Sequence, residues 1–279
     1  MITKTLAVLT SGGDSPGMNP AVRAVAKTAM REGVRVFGIS NGYQGILDDD
    51  LTELTSRAIS GMLDRGGTVL QSSRCQAFYK PEGRSLAMRK FHDHRVDGLI
   101  VIGGDGSLTG ALELGRLGLP VIGIPGTIDN DIYGTDMGIG VDTASNTIAS
   151  MIDKIKDTAR SHRRCFLIEV MGRNSGYLAL TTAISTGAEV AVIPELRHNM
   201  PRILELLALR YRNRLNDSII ILAEGVCEAD EFIGRMHAEQ GSNILKQEVR
   251  KTVLGHVQRA ARRTPTIACS FLVATDESG

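Results

Sequence analysis

The chain has 279 residues, 42% of them hydrophobic and 23% charged, with a formal net charge of +1. That is enough apolar material for one large α/β unit or two lobes. Near-neutral charge offers no bulk attraction for nucleic acid or a membrane surface, so any anionic partner has to be met by local clusters of Arg. The apolar runs fall far short of the roughly 20 residues of a membrane helix, and no leader-like segment opens the chain. Cys75, Cys165, Cys227 and Cys269 are too scattered for a metal or redox pair, which points to a reduced, cytoplasmic protein.

In chain order, Leu6–Leu9 reads as a first buried strand, followed by the loop Thr10-Ser11-Gly12-Gly13-Asp14-Ser15-Pro16-Gly17-Met18. Asn19 and Pro20 fit the N-cap and first-turn positions of the helix that follows. Further strands are expected at Val34–Ile39, Leu99–Ile102 and Val121–Ile124. Ile148, Met151, Ile152 and Ile155 have the i, i+3, i+4, i+7 spacing of a helix with one apolar face. Phe166–Val170, Val190–Ile193 and Ile219–Leu222 complete the strands. Alternation of short Val/Ile/Leu runs with helical patterns is the mark of an α/β fold with mostly parallel sheets flanked by helices. The Gly-rich stretch Gly134–Gly140 suggests a boundary between two lobes, with ligands in the cleft between them.

Three strand ends carry the chemistry. The Gly12-Gly13-Asp14 loop opens a helix and can offer backbone N–H groups to an anion, yet it lacks both the Lys-Ser/Thr end of a Walker loop and GxGxxG spacing. Gly103-Gly104-Asp105-Gly106-Ser107 repeats the design, with Asp105 suited to Mg²⁺, which commonly takes one or two carboxylates together with phosphate oxygens. Pro125-Gly126-Thr127-Ile128-Asp129-Asn130-Asp131 sets a hydroxyl and two carboxylates just beyond a strand, where open α/β sheets bind ligands. The Asp-Asn-Asp loop taken alone is equally consistent with a plain turn, but the repetition across the three loops favours a phosphate site. A fourth strand ends in Glu169-Val170-Met171-Gly172-Arg173, and Arg74, Arg164, Arg250, Arg259 and His256 also lie near turn segments, as a sugar phosphate would require.

Taken in order, GGDSPGMN, RGGTVLQSSR, GGDGS, PGTIDND, EVMGRNSGY, AEG and TVLGHVQR resemble the signature set of the bacterial-type ATP-dependent phosphofructokinases over roughly residues 1 to 259. The resemblance implies transfer of the γ-phosphoryl of ATP to the 1-hydroxyl of fructose 6-phosphate, with Mg²⁺, by a homo-oligomer, a tetramer in this family. It implies a nucleotide-binding lobe at 1–138, to which 255–279 returns as an altered, truncated segment, and a sugar-phosphate lobe at 139–254. Asp129 matches the family's general base, and Thr127 and Arg173 match groups that stabilise the moving phosphoryl. Gly13, Arg74, Cys75, Gly104, Asp105, Gly106 and Ser107 match nucleotide contacts, with Asp105 at the metal. Thr127, Asp129, Met171, Gly172, Arg173, Glu224, His256 and Arg259 match the sugar-phosphate site, and Arg164 and Arg250 match residues that reach in from a neighbouring subunit.

Pyrophosphate-using relatives are the alternative. They carry Asp and Lys where this chain has Gly106 and Gly126, so the expected donor is ATP. Two departures stand out. Of the family's effector set, Arg23, Lys27 and Glu189 match, but Lys156 replaces an Arg, Ser56 another, and the lysines expected near Asn213–Asn216 are missing, which argues against control by ADP or phosphoenolpyruvate. Beyond Arg259 the family's Gly-Gly and Pro-Tyr-Asp-Arg segments give way to Ala260-Ala261 and Pro265-Thr266-Ile267-Ala268. These residues are what the family's codons yield when read one base later, so a frameshift near codon 260, leaving an inactive chain that only binds ligands, is the other alternative.

Overall fold

The computed structural model describes residues 4–215, 217–239 and 248–259; the segment expected to be altered after Arg259, with Cys269, lies outside them. The elements run β1 (Thr5–Ser11), α1 (Met18–Arg31), β2 (Arg35–Ile39), α2 (Gly42–Leu47), β3 (Leu51–Glu53), α3 (Pro81–Asp93), β4 (Gly98–Gly103), α4 (Asp105–Arg116), β5 (Val121–Thr127) and β6 (Ile139–Gly140). There follow α5 (Val141–His162), β7 (Cys165–Val170), α6 (Tyr177–Thr186), β8 (Val190–Val192), α7 (Met200–Arg212), β9 (Ser218–Ala223), α8 (Ala229–Glu239) and β10 (Val249–Val253), with a 3₁₀ turn at Gly255–Gln258. The described residues form two compact units. One holds the chain up to Ile128, the stretch Ile132–Asp142 and Arg259; the other holds Asp129–Asp131 and Thr143–Gln258.

The first unit is built on a six-stranded sheet ordered β3-β2-β1-β4-β5-β6, parallel except for the β2–β3 pair. Side chains of a strand alternate between faces. Ala7, Leu9, Leu99 and Val101 accordingly pack on one side with Ile46, Phe91, Ala111 and Leu114 from α2, α3 and α4. Val8, Ile100 and Ile102 pack on the other with Met18, Ala21, Val22 and Ala26 of α1. Phe91 is 1% exposed, so truncating it to Ala would cost about 3–5 kcal/mol. The continuous burial of β4 explains its unbroken Leu-Ile-Val-Ile run.

The second unit carries a parallel four-stranded sheet ordered β10-β7-β9-β8. Leu167, Ile220 and Leu222 meet Leu204 and Leu207 of α7 and Phe232 and Met236 of α8. The Asn199 side chain caps α7 by accepting the Arg202 N–H at 3.1 Å, and Gly187 ends α6 in the left-handed region. Ile148 and Ile152 are fully buried along α5, as their spacing requires.

One local expectation is corrected. Helix α1 starts at Met18, one residue before Asn19, and Gly17 at φ 96° provides the entry. Asn19 is thus inside the first turn, and its carboxamide bonds to residues 46 and 50 positions further on instead of capping its own helix. Pro20 sits in the first turn, where its missing N–H costs nothing because those donors have no intrahelical partner.

Candidate active site

Because β1, β4 and β5 are adjacent and parallel, Ser11, Gly103 and Pro125 stand side by side in register, and the loops that follow them open on the same edge of the sheet. The loops are closely packed. A methyl group at Gly12 would lie 3.3 Å from Ser107 Oγ, and one at Gly104 would lie 3.8 Å from Thr127 Cβ. At Gly103 it would sit 2.5 Å from the Ser11 carbonyl oxygen and 2.7 Å from Ser107 Oγ. At Gly103 the backbone approach is one that a side chain would forbid, whereas at Gly104 a methyl would be in ordinary contact.

The first loop turns through Gly12 at φ 86° and Gly17 at φ 96°, and Ser15 Oγ fastens it by donating to the Ile139 carbonyl at 3.0 Å. Arg259 lies over Gly13, with Nη1 donating to the Asp14 carbonyl at 3.0 Å. The second loop enters α4 directly, so Asp105 begins the helix and the N–H groups of its first turn face outward from the sheet edge. The buried Tyr43 hydroxyl donates to the Ser107 carbonyl at 2.6 Å, and its ring stacks on Phe78 at 4.1 Å. Burial pushes the Tyr43 phenol well above its usual range. In the third loop Thr127 and Ile128 are buried, Asp129 and Asn130 are half-buried, and Asn130 takes a left-handed φ of 52°.

Among the described residues no three His, Cys, Asp or Glu side chains gather to hold a metal. A Mg²⁺ ion arriving with a nucleotide fits this arrangement, since phosphate oxygens and water fill most of its coordination and Asp105 at a helix start is a suitable single carboxylate.

In the second unit, Gly172 (φ 144°) and Arg173 (φ 55°) turn the loop after β7 so that both backbone N–H groups donate to Glu224 Oε1, at 3.2 and 2.7 Å. The Met171 N–H donates to Oε1 of the fully buried Gln258, whose Nε2 donates to the Gly255 carbonyl. The Arg173 and His256 side chains are exposed. Arg164 and Arg250, at the neighbouring strands β7 and β10, share one carboxylate: Glu248 pairs with Arg164 Nε at 2.8 Å and with Arg250 Nη2 at 2.5 Å. Glu189 is held inside its own unit, by Arg210 and by the Ile219 N–H, both at 2.6 Å.

Arg74 is exposed, between Ser73, whose hydroxyl donates to the Asn41 carbonyl, and buried Cys75. The first unit therefore holds Gly13, Arg74, Cys75, Gly104–Ser107, Thr127 and Arg259, and the second holds Asp129, Arg164, Met171–Arg173, Glu224, Arg250 and His256. Sequence reasoning missed Gln258, Glu248, Tyr43 and the buried role of Asn19. None announces itself locally, because each acts on a partner remote in the chain, except Glu248 toward the nearby Arg250.

Comparison with known proteins agrees with this geometry. The phosphofructokinase family model matches residues 5–269. An ATP-dependent 6-phosphofructokinase of Shouchella clausii is 48% identical over 261 residues, covering 94% of this chain and 80% of that protein. One of Clostridioides difficile is 46% identical over 271 residues, covering 97% and 83%. The solved phosphofructokinase of Saccharomyces cerevisiae superposes with a TM-score of 0.88 at 36% identity, covering 98% of this chain and 41% of the yeast chain. With the sheet orders, the glycine loops and these likenesses all in agreement, the chain belongs to the phosphofructokinase family.

Proposed function

We propose that this chain is an ATP-dependent 6-phosphofructokinase, moving the γ-phosphoryl of ATP to the 1-hydroxyl of fructose 6-phosphate. The observation that carries the reading is the row of three glycine loops on adjacent parallel strands, with Asp129 two residues beyond the last. Phosphoryl transfer asks a protein mainly for positioning and charge stabilisation. Backbone N–H groups at Gly13 and at the start of α4, with Arg74, Cys75 and Gly104–Ser107, hold the nucleotide phosphates. Mg²⁺ held at Asp105 neutralises phosphate charge when bound.

Asp129 accepts the proton of the sugar hydroxyl as general base. Thr127 and Arg173 stabilise the charge on the moving group. Met171, Gly172, Glu224, His256 and Arg259 hold the sugar phosphate. Arg164 and Arg250 serve a neighbouring copy in a homo-oligomer, which makes the tetramer part of the reading. The lobes divide as 1–138 for nucleotide and 139–254 for sugar phosphate, and the protein works in the cytoplasm. No helix among the described residues is long and apolar enough to cross a membrane.

ATP is favoured over pyrophosphate by two glycines. Gly106 faces open space, with nothing within 4 Å of a methyl group placed there, so room is left beside the phosphates. At Gly126 such a methyl would already be 3.0 Å from Ile102, which leaves no easy place for a lysine stem. The test is steady-state turnover with each donor, alongside Asp129→Asn. The variant should lose about 10²- to 10⁴-fold in kcat with little change in KM for ATP. Loss below threefold would remove Asp129 as the base, and preference for pyrophosphate would overturn the donor assignment.

A further inference from the structure

Between the 3₁₀ turn at Met62–Asp64 and the one at Gln76–Tyr79, residues 65–74 run with no helix or strand of their own. Side chains from elsewhere supply several of the hydrogen bonds made by the backbone of this strap. Asn19, 1% exposed in the first turn of α1, uses both ends of its carboxamide: Nδ2 donates to the Arg65 carbonyl at 3.0 Å, and Oδ1 accepts the Val69 N–H at 2.8 Å. The Thr68 hydroxyl donates to Thr10 Oγ1 at 2.8 Å, and Thr10 donates on to the Gln71 carbonyl at 2.9 Å. That chain of hydroxyls holds Gln71 at φ 60°, a left-handed position unusual for its residue type. Ser72 Oγ donates to the Gly12 carbonyl at 2.6 Å, and the Asn41 N–H donates to the Leu70 carbonyl at 2.8 Å. Every one of these partners belongs to the first unit.

The strap thus lies on the Thr10–Gly17 loop and ends at Arg74, with Gly67 passing 3.8 Å, measured from its missing methyl, from the Asp14 carboxylate. We propose that Asn19 is a positioning residue for the nucleotide half of the reaction. It fixes the strap against the phosphate loop and so sets where the Arg74 guanidinium stands. A buried amide that merely satisfied the core would bond within its own helix layer. Asn19 instead spans two points of a segment that has no regular structure; it belongs to neither apolar layer itself, while Val69 and Leu70 of the strap pack in the second one. A pinned arginine loses less freedom when it meets a phosphate, which is the general basis of preorganisation.

The proposal rests on the kinase reading above, through Arg74. Its test pairs Asn19→Asp, which keeps the acceptor for Val69 and loses the donor to Arg65, with Thr68→Val, which cuts the hydroxyl chain without touching α1. Amide exchange across 65–74 and steady-state kinetics are measured on the full chain. Exchange should rise in the strap for both variants, and KM for ATP should rise about 5- to 50-fold for Asn19→Asp and about 2- to 10-fold for Thr68→Val, the order expected from loss of one or two positioning bonds. KM for fructose 6-phosphate should stay within twofold. Unchanged exchange in the strap, or equal movement of both KM values with a fall in thermal stability, would overturn the positioning role. If Asn19→Asp fails to fold, Thr68→Val alone decides by the same criteria. Absence of ATP turnover in the unmodified chain would sink the kinase reading instead, and the exchange experiment would still report on the strap.

Discussion

Replacing Gly103 by Ala tests whether the contact between the first two phosphate loops sets the rate. The added methyl would lie 2.5 Å from the Ser11 carbonyl oxygen and 2.7 Å from both Cβ and Oγ of Ser107. Ser107 can swing its hydroxyl aside, but its Cβ and the Ser11 carbonyl are fixed to the backbone. Restoring an ordinary van der Waals separation of 3.4 Å from 2.5 Å requires the end of β1 or the first turn of α4 to retreat by about 0.9 Å. Both of those segments are assigned to the nucleotide, and a misplacement of about 1 Å can cost around 10²-fold in rate. The variant should therefore lose about 10- to 10²-fold in kcat/KM for ATP and about 1–3 kcal/mol of stability, the usual range for overpacking. Gly234→Ala in α8 is the control. Its methyl meets nothing within 4 Å, so it should gain up to about 1 kcal/mol from helix propensity. Paired urea melts and donor-dependent kinetics make the comparison. A Gly103→Ala enzyme within threefold of the parent, with an unshifted melt, would refute the claim that this approach is tight.

Tyr43→Phe removes the donor to the Ser107 carbonyl and should cost about 0.5–1.5 kcal/mol in a denaturant melt at neutral pH. Because burial raises the Tyr43 phenol, its contribution is complete below about pH 10, the ordinary tyrosine value, and fades as the pH climbs from there toward the raised folded value. The gap between parent and variant should close on the alkaline side only, and a gap independent of pH would contradict that assignment. Among the described cysteines, Cys165 is fully buried and its thiol is pushed up to about 12 by burial and by the nearby Glu189. In the folded protein it should resist thiol reagents, whereas the partly exposed Cys227 reacts first. Mass spectrometry of labelled peptides reads the order, and early modification of Cys165 would show that this core opens.

The strands most legible in the sequence are those rich in Val, Ile and Leu, whether buried on both faces like β4 or partly exposed like β5, where Ile122 is 64% exposed. A continuous Val/Ile/Leu run such as Leu99–Ile102 leaves no competing interpretation once helices flank it. Strand β3 escaped notice because three residues on an exposed edge carry no pattern, and β10 because Val249-Arg250-Lys251-Thr252-Val253 is polar at its centre and owes its strand to pairing with β7. The glycine loops of the site stood out because the pattern repeats at the ends of successive strands, although Gly, Asp and Ser are each ordinary turn residues. What holds those loops in shape did not. Asn19 looked like a helix cap because capping is a local rule, while its partners Arg65 and Val69 are fixed only when the chain has folded. Gln258, too, has no local signal, since its buried carboxamide matters only because Met171 comes to lie beside it.

The Glu224 carboxylate holds two backbone N–H groups with a single oxygen, and that alters how any substitution there can be interpreted. Removing the side chain would withdraw the sugar contact proposed for Glu224 and would also release the Gly172–Arg173 turn, so the measured loss would sum two events that share one cause. A double-mutant cycle between Glu224 and Arg173 would then be strongly non-additive even if the two side chains never touch the same ligand atom. Glu224→Gln keeps a carbonyl oxygen for the turn, as a weaker neutral acceptor, and changes the group left for the ligand. The difference between the Gln and Ala variants therefore measures the part of the scaffold that needs no charge, and the difference between the parent and Gln measures the charge at both the turn and the ligand.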